Sequence, residues 1–143
     1  MSSESFVCVR AGRFVELYVR RLSHIGDIEA LQAALSAEIR IAGPEAVICS
    51  DYRLASPVTP EVAGALARAM RQNNGRMTRG GLLLAPSNTV LNLQIERVVK
   101  CAGNPGRRAF VDPEELRRWV GHEASGAERK ALDGFFSHAD APR

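Results

Sequence analysis

The stretch from Glu45 to Leu66 (EAVICSDYRLASPVTPEVAGAL) most narrows what this chain can fold into. It opens with Ala46-Val47-Ile48-Cys49, an unbroken apolar run of the kind found in strands buried on both faces. A polar turn, Ser50-Asp51-Tyr52-Arg53, and a short irregular link follow. Thr59-Pro60-Glu61 then announces a helix, with a hydroxyl at the N-cap, proline at the first helical position and an acid in the first turn. A doubly buried strand feeding a capped helix is the building unit of a layered α/β domain. In such sheets, ligands and partners meet the loops at the carboxyl ends of strands.

The rest of the chain supplies the partners of that unit. Phe6 to Arg10 (FVCVR) and Arg13 to Arg20 (RFVELYVR) are rich in β-branched and aromatic residues, as strands are. The Ala11-Gly12 link is short enough for a hairpin, with glycine supplying the positive φ. In the second strand Phe14, Glu16, Tyr18 and Arg20 share one face and Val15, Leu17 and Val19 the other. Asp27 is positioned to cap a helix to about Ile41, with Ile28, Leu31, Leu35 and Ile39 as its core stripe and Gln32 at the border. Gly43-Pro44 ends it.

After Thr59 the helix stripe is Val62, Leu66, Ala69 and Met70, and Asn73-Asn74-Gly75 closes it. Arg76 to Gly80 reads as a connector into an interior strand, Gly81 to Ala85. Ser87 or Asn88 caps a third helix carrying Leu91, Ile95, Val98, Val99 and Ala102. Arg107 to Val111 is a short strand near an edge. Asp112-Pro113-Glu114-Glu115 starts a helix that buries Leu116, Trp119 and Val120. Ser125-Gly126-Ala127-Glu128 is a capping box for a last helix with Ala131, Leu132, Phe135 and Phe136 as its apolar edge. Those aromatic rings can pack on their own domain or make a homodimer by burial against a second subunit.

The predicted order is β-β-α-β-α-β-α-β-α-α, an α/β layered domain whose four to five strands form a mixed, mostly parallel sheet with an N-terminal β-hairpin. At 143 residues one domain is expected. Its body is read as 1–121, with 122–143 as a C-terminal helical extension. No basic region precedes an apolar stretch at the N-terminus, and no run approaches the length of a membrane span. A cytoplasmic protein is expected. Cys8, Cys49 and Cys101, odd in number and far apart, read as small core residues of a reducing compartment.

Several chemistries lack their residues. His24, His122 and His138 fall in separate loops or ends, and no short-spaced His, Cys or carboxylate ligands occur, so neither a metal nor another cofactor is expected. Neither Ser50 nor Ser87 carries the flanking glycines of a nucleophile elbow. No glycine-rich phosphate cradle precedes a helix. Asp51 suits a turn that it hydrogen-bonds itself, and Asp112, Glu114 and Glu115 are explained by capping. No catalytic residue is assigned.

Charge is unevenly spread. From Val62 to Val111 there are eight basic residues against one acid, a net +7, which leaves −4 for the remainder of a chain whose total is +3. Arg71, Arg76, Arg79 and Arg107 are candidate anion ligands within that basic half. No aromatic residue interleaves with these cations, which argues against nucleic acid.

The pattern resembles STAS domains, the anti-sigma-factor-antagonist class, and most of all its divergent relatives of unknown function. The shared features are the VELYVRRL segment at Val15 to Leu22, the acid at Asp27 before the first helix, and a buried strand ending at Asp51. LLLAPS at Leu82 to Ser87 and FVDPEEL at Phe110 to Leu116 match as well. With Ala65-Leu66 laid on the family's Gly-x-Gly-Ala-Leu ending, the family's regulatory phosphoserine falls on Pro60 and the acid before it on Thr59. The resemblance implies a non-catalytic regulatory module binding a protein partner, such as a kinase or sigma-factor regulator, without that phosphoswitch. The residues themselves offer a docking surface: Asp51, Tyr52, Arg53, Ser56 and Thr59 read as an exposed polar group at one end of the sheet, suited to protein recognition, with an ordinary solvated loop as the other reading. A nucleotide- or lipid-phosphate-binding domain that uses the basic half is the alternative.

Overall fold

The structure, a computed structural model, describes residues 5–121 and 124–140, with side chains through Phe135. Phe136, His122 and His138, all weighed above, lie outside the described side chains. Five strands form one sheet in the order β1-β2-β3-β4-β5: Phe6–Ala11, Phe14–Val19, Ala46–Asp51, Met77–Leu83 and Arg107–Phe110. The first pair is antiparallel and the other three pairs are parallel. Five helices complete the predicted order: α1 (Ile25–Ala42), α2 (Pro60–Gln72), α3 (Thr89–Ala102), α4 (Pro113–Val120) and α5 (Gly126–Asp140).

Because each strand lies beside its sequence neighbour, the crossover helices share a face. Right-handed crossovers along one unreversed direction must do so. The larger core joins α1, α2 and α3 to that face through Leu31, Leu35, Leu66, Ile95 and the inward residues of β2 and β3. The smaller core lies on the opposite face, where Leu116 and Val120 of α4 and Leu132 and Phe135 of α5 meet Phe14, Tyr18, Val47, Cys49 and Leu83. Leu132 and Phe135 are thus buried within this chain, at 3% and 0% exposure. The Phe135 ring lies 5.4 Å from that of Tyr18.

Several local expectations need correction. Asp27 is not the cap of α1. The helix begins two residues earlier, and Asp27 at N3 reaches back to accept hydrogen bonds from the Ser23 and His24 backbone N–H groups, at 2.7 and 3.3 Å. The Arg76–Gly80 connector is mostly strand, since β4 starts at Met77 after a short 3₁₀ turn, Asn74–Arg76. Arg79 has a partner there that sequence pattern does not show: its guanidinium stacks on Trp119 and donates to the Trp119 carbonyl at 2.7 Å. Cys101 is exposed on α3, unlike buried Cys49 and half-buried Cys8, and all three thiols are free.

Other signals hold. Thr59 Oγ1 accepts from Val62 N at 3.2 Å, and Pro60 is the first residue of α2. Asp112 caps α4 through Glu114 N. Ser125 and Glu128 exchange hydrogen bonds at the start of α5, the reciprocal pattern of a capping box. Asn88 occupies the N-cap of α3, although its amide is used elsewhere.

Candidate functional site

The carboxyl ends of β3 and β4 face the loop 52–59. Its first residue extends the sheet, with Tyr52 N donating to Leu83 O at 2.9 Å. The Tyr52 ring then turns into the larger core at 2% exposure. Asp51 is also buried, at 4%. Its Oδ1 accepts from Arg53 N at 3.0 Å and Arg53 Nε at 3.3 Å, a turn held by its own side chain and closed by an ion pair. So the expected exposed group divides: Asp51 and Tyr52 are interior, Arg53 is half-buried, and Ser56 and Thr59 face solvent. The physical reason is the apolar ring of Tyr52, which gains more from the core than its hydroxyl gains from water.

The remainder of the loop is fastened by α3. Asn88 Nδ2 donates to Ala55 O at 3.0 Å. Gln94 grips the Val58 backbone twice, its Oε1 accepting from Val58 N at 3.0 Å and its Nε2 donating to Val58 O at 2.7 Å. These bonds satisfy backbone groups that a loop over a core would otherwise strand. They leave a ridge with Leu54 46% exposed and Ser56, Pro57 and Thr59 uncovered; on α3, Val90 and Leu93 are exposed at 58% and 57%. Neither Asn88 as a loop tie nor Gln94 was singled out from sequence. An amide three residues past Leu91, at the edge of an apolar stripe, is the signal that was there to read.

The anion candidates do not converge. Arg71, exposed on α2, donates to Cys101 O at 3.1 Å. Arg76 donates to Ser36 O on α1 and to Asn73. Arg79 is on the α4 face with Arg108, both stacked on Trp119 at 4.2 and 4.1 Å from the ring centre. Arg107 is on the other face, 6% exposed, beneath α2.

A second buried polar group, on the β2 face that carries Phe14, lies under α5. Glu16 is 7% exposed and accepts from the Tyr18 hydroxyl at 2.9 Å. Burial raises its carboxyl above the ordinary range, and the Tyr18 hydrogen bond opposes this. Burial, with Glu16 beside it, pushes the neighbouring Cys49 thiol far up, so it stays protonated and inert. Among the described residues no group of three His, Cys, Asp or Glu is placed to hold a metal ion. Among them, too, no helix is long and apolar enough to cross a membrane.

Comparison with known proteins finds likeness in structure alone. No family model matches the sequence, and no curated protein matches it. A crystal structure of an uncharacterized protein from the DUF3478 family of Shewanella loihica PV-4, with a SpoIIAA-like fold, aligns at a TM-score of 0.55 and 17% identity over 80% of this chain and 91% of its own. The anti-sigma factor antagonist SpoIIAA in its unphosphorylated form aligns at 0.53 and 23% identity, over 81% and 96%. The hairpin start, the parallel strands in sequence order and the helices on both faces therefore amount to a SpoIIAA-like, STAS-like fold.

Proposed function

We propose that this chain is a non-catalytic STAS-like regulatory module that docks a protein partner on the ridge from Leu54 to Glu61, beside Val90 and Leu93 of α3. The observation that carries this reading is the fastening of the loop by Asn88 and Gln94. A loop held rigid while presenting apolar Leu54 loses little entropy on binding, and exposed apolar side chains on a stiff frame suit a partner's surface. The role stated for the structural relative, antagonist of an anti-sigma factor, points to a partner among sigma-factor regulators, kinases included. The free cysteines fit a reducing, cytoplasmic setting.

Regulation at this ridge differs from a serine phosphoswitch. Pro60, at the first position of α2, has no hydroxyl to modify, and the Thr59 hydroxyl is engaged as the cap. Binding is then governed by the partner's abundance or state.

A photo-crosslinking residue at Ser56, in the chain's native cell, tests the reading. One dominant protein adduct is expected, lost when Leu54→Asp is added. Absence of an adduct from a folded protein, or one indifferent to Leu54→Asp, would overturn it.

A further inference from the structure

Between α1, α2 and the sheet lies a cavity of about 40 Å³. Its polar lining comes from Ser50, Tyr52, Gln32, Asn73 and Arg107, and no acidic residue contributes. We propose that this cavity binds a small monovalent anion, a halide or the carboxylate of a one-carbon acid, held by the Arg107 guanidinium with the Ser50 and Tyr52 hydroxyls.

The argument starts from the cation. Arg107 is buried, and its described contacts are Asn74 Oδ1 at 2.7 Å, Met70 O at 2.9 Å and Met77 Sδ at 3.8 Å. No carboxylate among the described residues pairs with it. A buried charge is costly unless paired. Burial lowers Arg107 to about 10, which still leaves it cationic at neutral pH. The Tyr52 ring is fully interior, and burial pushes its hydroxyl up, so it remains a neutral donor. Neither that hydroxyl nor the one of Ser50 bonds to another described residue. The cavity therefore sets two hydroxyls without a described partner beside a cation that has backbone, amide and thioether acceptors but no carboxylate, within walls that are otherwise largely apolar, and an anion supplies the missing countercharge.

Size sets the class. A water needs roughly 10–15 Å³, so this space admits an ion of a few heavy atoms and excludes a nucleotide or lipid headgroup. The reciprocal amide pair of Gln32 and Asn73, bonded at 3.1 and 3.0 Å, forms part of the cavity wall. Gln32 and Ala69 line both the cavity and the outer groove between α1 and α2. Arg68 and Arg76 line that groove, where positive charge favours anion approach. The site is independent of the docking ridge.

Crystals soaked in sodium bromide, and separately in sodium formate, test the proposal, with thermal titrations at constant ionic strength beside them. An anomalous bromide peak within hydrogen-bonding distance of Tyr52 Oη and Arg107 is expected, with a saturable rise in melting temperature. Formate density in place of bromide would assign the carboxylate source. Tyr52→Phe and Ser50→Ala keep the ring and the strand, and each should weaken binding about tenfold. A cavity holding ordered water only, an adventitious surface ion only, or unchanged binding in both variants would overturn the proposal.

Discussion

Glu128, at the start of α5, holds Arg13, at the start of β2, by both its backbone and its side chain. Glu128 Oε2 accepts from Arg13 N and from Arg13 Nε, each at 3.0 Å, and Oε1 accepts from Arg13 Nη2 at 2.8 Å. The Arg13 hydrogen bonds hold the Glu128 carboxyl at about 2, against an ordinary 4.5. A carboxyl lowered on folding contributes stability above its unfolded pKa, and this is lost as pH falls through the folded one. The contribution should therefore be complete above pH 4.5 and fade between about 4.5 and 2. Glu128→Gln should cost about 2 kcal/mol at pH 7, with the difference from wild type shrinking toward pH 2 in urea titrations.

The same contact explains Gly12. Its φ of +59° is left-handed, and a Cβ there would stand 2.9 Å from Glu128 Oε2. Gly12→Ala should lose about 1–2 kcal/mol from backbone strain alone, and more from the displaced carboxylate. In the Glu128→Ala background the carboxylate share of that loss should vanish, as a double-mutant cycle by chemical denaturation would measure.

Tyr52→Ala should behave as a core truncation, costing about 3 kcal/mol of unfolding free energy, because the ring is 2% exposed. Ser56→Ala, at an exposed position of the same loop, should change stability by less than about 0.5 kcal/mol. Denaturant midpoints of the two variants check the contrast.

Glu16 titrates in the opposite sense to Glu128. Its carboxyl is raised by burial, so the folded state holds the proton more tightly than the unfolded chain does. Wild-type stability should then fall as pH rises from 4.5 through the raised value. Glu16→Gln removes the buried charge and should flatten that part of the profile, gaining about 1 kcal/mol at pH 7. Melting temperatures from pH 4 to 8 would show it.

Most of the architecture is legible in the sequence because short-range signals agree with one another. Thr59-Pro60, Asp112-Pro113 and Ser125 with Glu128 each specify a helix start by local chemistry, and the structure has those boundaries. What escaped depends on partners far along the chain. Arg79 sits in a strand paired with Val47, and its guanidinium is taken up by Trp119, forty residues later. Tyr52 looks like a surface residue within Ser-Asp-Tyr-Arg, yet its ring completes a core assembled by α1 and α2. Glu16 alternates with Val15 and Leu17 like any exposed strand residue, yet α5 covers the face it shares with Phe14 and Tyr18. Exposure is a property of the assembled layers, and periodicity alone cannot assign it where both faces of a strand are covered.

The sheet grows one strand at a time in chain order, and that has a consequence for synthesis on the ribosome. The hairpin and the three crossover units can each dock on the piece already made, since every new strand pairs with the preceding one. The α5 face cannot close in this way. Phe14, Tyr18 and Glu16 emerge long before Leu132 and Phe135, and their face stays incompletely covered until those residues arrive. A nascent chain stalled before α5 would thus expose an apolar sheet surface, which makes the docking of α5 the step at which aggregation is averted.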